Sequence, residues 1–349
     1  MKLTPLALAL ACFAATATAQ SRVPSPPWPA GDEKGMANQI GAATYARCAR
    51  FLQSPKAKAY ELSHMRSPTM PLSPFSGPYV MKPKATASIP GTAHAFNMES
   101  YGEGAEPGQQ GTQIDALGHF GYFRQPWDGK GAPPVDGALY YGGYTQKDVK
   151  PAQDSPLLRL GMEKIPPIVT TAVLLDAKKH VGGGQPMKAG EVVTAKHIDE
   201  MLKAQGIAKR GIRPGDVVYV HTGWGDHWRD PDTEKRYYSM APGMSFDAAK
   251  LLGERRVVAI GLDTPFVDAV AEGQLQGKGG PAPGSPAGLP FSMHHHMLTQ
   301  MGIHHIENAK LDELAKDRVW LSCTMILPPL EKGSAGAAIR PVSIGAPGK

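Results

Sequence analysis

The chain has 349 residues, 42% of them apolar and 19% charged, with a net charge of +6. That is enough to build a real core, as one large α/β domain or two ordinary ones. Lysine and arginine are scattered rather than gathered into a stripe with aromatics, so nucleic acid is not an expected partner.

The first residues, "MKLTPLALALACFAATATAQ", carry Lys2, an apolar run, and then Ala17 and Ala19 at the small-residue positions that precede a signal-peptidase cut. Residues 1–19 are therefore expected to be a cleaved signal peptide, with the mature protein periplasmic or secreted. A membrane anchor is disfavoured because the run is shorter than the ~20 residues that span a bilayer, and no other segment is long enough. Cys12 follows a lipobox-like "ALAC", but alanine three positions before it favours cleavage over lipidation. Cys48 and Cys323 then remain. In an oxidising compartment they can pair, and two buried thiols are the equal alternative.

Residues 20–40 are rich in proline and glycine and read as an extended arm leading into a single domain over 41–349. The β-branched runs "TTAVLLDA" (170–177), "DVVYVHTGW" (216–224) and "RVVAIGLDT" (256–264) predict buried strands with functional groups at their ends. Between the first two, "TAKHIDEMLKAQG" predicts a helix capped by Thr194, with Ile198, Met201 and Leu202 on its apolar face and Gly206 closing it. "SFDAAKLLGE" (245–254) predicts a second helix before the strand at 256. Alternating strands and helices indicate α/β architecture. Residues 273–290 hold too much glycine and proline for a packed element and form a loop, either a connector or a flap.

Two stretches carry chemistry. In "QQGTQIDALGHF", Asp115 lies four residues before His119, a pairing that suits a metal ligand pair or an acid/base relay, although a solvated Asp and a structural His satisfy it equally. "MHHHMLTQMGIHHIEN" holds five of the chain's 12 histidines, His294, His295, His296, His304 and His305, followed by Glu307. An imidazole and a carboxylate twelve residues on can meet across a helix and a turn, which makes metal binding plausible; a histidine-rich surface helix is the plainer alternative.

Together the two stretches resemble the cyclase family of metal-dependent hydrolases, which includes bacterial kynurenine formamidase and isatin hydrolase. The family signature, His-x-Gly-Thr-His-x-Asp-x-x-x-His, corresponds to Gln109 through His119, and further blocks of similarity run over roughly residues 90 to 345. A long-chain branch of the family carries "GTQ" in place of "GTH", as this chain does. The resemblance implies a swivelling β/β/α domain with a central mixed sheet or barrel-like core, assembled as a dimer or tetramer and acting on a small molecule.

By residue, the resemblance makes His119 and Asp115 catalytic and makes Asp115, His295 and Glu307 metal ligands. Gln109 and Gln113 stand where two ligand histidines would be. A carboxamide oxygen is a poor zinc donor and suits harder cations, so one divalent ion (Mn, Zn or Mg) or none is expected instead of two zincs. His94 could replace a missing ligand, though a structural role suits it better. Thr222, Trp224 and Asp263 match family blocks near the site and are assigned to substrate positioning or support, while Tyr141, with Tyr140 and Tyr144, either lines an aromatic pocket or packs. The implied reaction is hydrolysis of a C–N bond in a formamide or cyclic amide. The alternatives are a metal-independent lyase or isomerase using His119 and Asp115, or a non-catalytic exported binding protein.

Overall fold

The computed structural model describes residues 28–101, 109–132 and 134–348. The expected signal peptide and the start of the arm lie outside these residues.

Nine strands form one sheet: β1 (Lys58–Glu61), β2 (Gln113–Asp115), β3 (Ile168–Asp176), β4 (Val217–His221), β5 (Ala259–Leu262), β6 (His304–Glu307), β7 (Leu321–Ile326), β8 (Gly336–Ala338) and β9 (Val342–Gly345). Their order is β1-β9-β7-β3-β4-β5-β6-β2-β8. The central strands β3, β4, β5 and β6 run parallel, and every pairing outside them is antiparallel. The sheet curls into a half-barrel, the expected α/β fold with a mixed central sheet.

All the residues of β4 and β5 are buried, because both faces of the central sheet are covered. This is why the three runs read as continuous apolar stretches rather than as alternation. On one face Val173, Leu175, Val218, Val220, Ile260 and Leu262 pack with the helices α2 (Ala195–Ala204) and α3 (Phe246–Glu254). On the other face Leu174, Tyr219, Ala259, Ile306 and Ile114 form a second core. Thr194 caps the first helix as predicted and Ser245 caps the second, accepting hydrogen bonds from the backbone N–H of His197 and Ala248. Gly206 follows α2 with φ +71°, the left-handed conformation that ends a helix.

Helix α1 (Ala42–Leu52) lies against β3 and β7, and Cys48 on it is disulfide-bonded to Cys323 on β7. The arm is less extended than expected. Residues Gly35–Gln39 form a 3₁₀ turn that buries Met36, whose N–H donates to the Gly302 carbonyl at 2.7 Å. The backbones meet so closely that a Cβ on Gly35 would lie 2.2 Å from that same oxygen. Among the described residues no helix is long and apolar enough to cross a membrane.

Candidate metal centre

The centre follows from strand alternation. Successive side chains of a strand point to opposite faces, so "QID" sends Gln113 and Asp115 one way and Ile114 the other, while "HHIE" sends His305 and Glu307 together and Ile306 away. The antiparallel register of β2 and β6 pairs Ile306 with Ile114 and Glu307 with Gln113. Continued by one step, the same register sets His305 opposite Asp115. The apolar partners enter the core, and the polar ones converge on the opposite face.

His294 completes the cluster from the π-helix His294–Met301. Asp115, His294, His305 and Glu307, all buried, offer one ligand atom each within 4.8 Å of one another. His294 Nε2 lies 3.8 Å from Asp115 Oδ2 and 3.6 Å from Glu307 Oε1. Its Nδ1 is held by Asp268 Oδ2 at 2.6 Å, and Asp268 also accepts the backbone N–H of Met293 and of His294. A carboxylate behind the imidazole orients the ring and leaves Nε2 facing the cluster, the usual support for a metal-ligating histidine.

Among the described residues, the cluster's polar atoms are under-partnered for groups so deeply buried. Both carboxylate oxygens of Asp115, both ring nitrogens of His305 and Oε1 of Gln113 have no hydrogen-bond partner among the described residues. Unsatisfied buried polar groups are costly and rare in folded proteins, and a divalent cation bound among these atoms would satisfy them together. Burial, reinforced by the Asp115 carboxylate, pushes the Glu307 carboxyl well above its ordinary range. Burial also works against a charged His294, but Asp268, Glu307 and Asp115 outweigh it and raise that imidazole to about 9. For His305 burial dominates, and its imidazole is held well below the usual value, the neutral form that ligates. The residues present therefore fit a cation.

The structure separates the sequence-expected residues into groups. Asp115 and Glu307 lie in the cluster, but His295 does not, and His294 takes the place expected for it. Successive residues of a helical turn point in different directions, so His294 and His295 do not both face the strands. His295 instead packs its ring edge-on against Tyr122, 4.8 Å between centroids, and its Nε2 lies 2.9 Å from the Gln300 carboxamide. Gln113 sits at the cluster's edge, its Nε2 donating to Glu307 Oε2 at 3.0 Å. Gln109 is not with the ligands; its Nε2 lies 2.8 Å from His119 Nδ1. The His119 ring is 6.0 Å from that of His294, and burial lowers its pKa. His94 is exposed.

Beside the cluster opens a cavity of about 890 Å³, walled by Phe120, Tyr122, Trp127, Phe291, His295 and Arg124. Phe120 links the two, its ring 4.8 Å from that of His294. Pro286 to Pro290, the end of the glycine- and proline-rich loop, form part of the same wall.

The four expected substrate-contacting residues lie elsewhere. Tyr141 is fully enclosed and donates to Asp32 Oδ2 at 2.8 Å, tying down the arm. Asp263 Oδ1 accepts the N–H and hydroxyl of Thr222, and its Oδ2 accepts Gly223 N–H, so this carboxylate knots the turn after β4. Trp224 is buried against Tyr237, Tyr238 and Phe266, its indole N–H donating to the Tyr237 carbonyl. Sequence reasoning missed His305, whose two-residue spacing from Glu307 on a strand was the available signal. It also missed Asp268, which no local pattern marks.

The model of the family described as "Putative cyclase" matches residues 60–269, more than half of the chain; the span includes Gln109 to His119 and ends before His294. Among solved structures, a novel cyclase is 21% identical with a TM-score of 0.71, covering 90% of this chain and 95% of that one. An isatin hydrolase bound to the product analogue thioisatinate is 17% identical, TM-score 0.54, covering 88% of this chain and 100% of its own. Isatin hydrolase A from Ralstonia solanacearum is 19% identical, TM-score 0.55, covering 85% of this chain and 95% of its own. A search of curated proteins gives no significant match. At these identities the solved structures speak for the fold, and the family match carries the assignment: the chain belongs to the cyclase family.

Proposed function

We propose that the protein is a hydrolase that cleaves a C–N bond of a small amide, formamide or cyclic, with the help of one divalent cation. The observation that carries this reading is the set of unpartnered buried ligand atoms on Asp115, His305 and Gln113 beside an aromatic-walled cavity. Asp115, His294, His305 and Glu307 would hold the ion, with Gln113 Oε1 as a further oxygen donor. Two imidazoles with two carboxylates suit zinc or manganese better than magnesium. When bound, such an ion supplies Lewis-acid polarisation of a carbonyl and activation of water.

The chain's own groups do the rest. Phe120, Tyr122 and Phe291 offer flat apolar faces to the body of the substrate. The Asp115 carboxylate would accept a proton from the attacking water and return it to the departing nitrogen. Water thus adds to the carbonyl carbon, the C–N bond breaks, and the products are a carboxylic acid and an amine. The isatin hydrolases among the structural neighbours, named for opening a cyclic amide, support this reaction class. We also propose that the protein is exported, a reading supported by the Cys48–Cys323 disulfide.

The test is metal analysis of untagged protein together with turnover of formanilide, isatin and an aryl ester. About one equivalent of cation and cleavage of at least one amide are expected. Metal-free protein that cleaves none of the amides would contradict the reading.

A further inference from the structure

The histidine beside the cluster is bound in an unexpected way. His119 Nδ1 lies 2.8 Å from the carboxamide nitrogen of Gln109. A carboxamide nitrogen carries only hydrogens to give, so a ring nitrogen facing it must offer a lone pair. The imidazole proton then resides on Nε2, and the hydrogen bond that this ring makes among the described residues uses Nδ1. Gly336 leaves room for this contact, since a Cβ there would lie 2.9 Å from Gln109 Nε2.

We propose that Gln109 is a positioning residue that locks His119 as the Nε2–H tautomer, so that His119 serves as a neutral hydrogen-bond donor to the oxyanion of the tetrahedral intermediate. The inference rests on the hydrolytic reading above. It differs from the acid/base relay that the Asp115–His119 spacing suggests, in which the imidazole would carry a proton. With Nδ1 occupied by the amide, His119 has no lone pair with which to accept a proton from water. Giving up its Nε2 proton would leave an imidazolate, which neutral water does not support. What remains is donation without transfer, the electrophilic role that a neutral imidazole can fill beside a developing negative charge. Proton transfer is then left to Asp115, and no proton is gained or lost by His119 over the cycle.

The experiment reads the tautomer directly. The ring nitrogens of His119 are observed in two-bond ¹⁵N–¹H spectra of the labelled full-length protein at neutral pH, assigned by their loss in His119→Ala. The wild type should show the proton on Nε2. In Gln109→Glu, whose carboxylate can only accept, the proton should move to Nδ1, and in Gln109→Leu the lock should be lost and both tautomers appear. With formanilide or isatin as the probe substrate, Gln109→Glu should lower kcat by about 10²–10³-fold, the loss typical of one oxyanion donor, while KM changes less than about twofold. A wild-type ring protonated on Nδ1, a Gln109→Glu ring still protonated on Nε2, or unchanged kcat in Gln109→Glu would each overturn the proposal. Circular dichroism of each variant separates these outcomes from misfolding. A wild type that turns over neither probe counts against the hydrolytic reading, while the spectra still decide whether Gln109 sets the tautomer.

Discussion

Two buried clusters of histidine and aspartate lie on this one sheet, and they differ in a single respect. At the ends of β3, β4 and β5, His221 meets Asp176 at 3.0 Å, and Asp263 is saturated by the turn it organises. At β2 and β6, Asp115 and His305 are equally buried yet have no hydrogen-bond partner among the described residues on either side-chain oxygen or either ring nitrogen. The first cluster is complete without a ligand and acts as scaffold. The second leaves ligand atoms open, as a cation site does. Burial and residue type do not distinguish the two; the hydrogen-bond inventory does.

The largest effect that would sharpen this contrast comes from Asp115→Asn. Bound cation should be lost on metal analysis and turnover should fall by on the order of 10³. Asp268→Asn comes next: by loosening the support behind His294, it should weaken cation binding by about 10–100-fold in a competition titration. In the scaffold cluster, Asp263→Ala strips the acceptors from the turn after β4 and should cost about 3 kcal/mol in denaturant unfolding. It should leave cation affinity unchanged, and a change would erase the distinction between the clusters.

The smallest effect is a pH dependence. Burial opposes a charged His221, but the Asp176 hydrogen bond and the Asp263 carboxylate outweigh it and raise its pKa. A group whose folded pKa is raised contributes stability that is fully present below its unfolded value and lost as pH rises through the folded one. Wild type should therefore lose stability relative to His221→Gln as pH climbs from the ordinary imidazole value near 6.5 upward. A parallel pair of stability curves would contradict this.

How much was legible in the sequence depended on whether the information was local. The central strands and the two helices were readable because periodicity and caps belong to consecutive residues, Asp115 was readable through the family signature, and Glu307 through the wider family resemblance. His294 and His295 were not separable, because the choice between them depends on the phase of a π-helix against β6, a tertiary quantity. Thr222, Trp224 and Asp263 drew attention as polar groups at strand ends, where a turn needing its amides tied and a substrate needing contacts call for the same residues. Gln109 stood at a ligand's place in the signature, yet the structure turns it to His119, a contact that its neighbours in sequence do not announce.

The central claim is that one cation is gripped by Asp115, His294, His305 and Glu307. A crystal structure of protein loaded with manganese or zinc, with anomalous data on both sides of the metal's absorption edge, tests it most directly. One anomalous peak is predicted at about 2.0–2.3 Å from a ligand atom of each of the four side chains. A peak held by His295 instead, or four side chains that stay apart around no peak at all, would contradict the account.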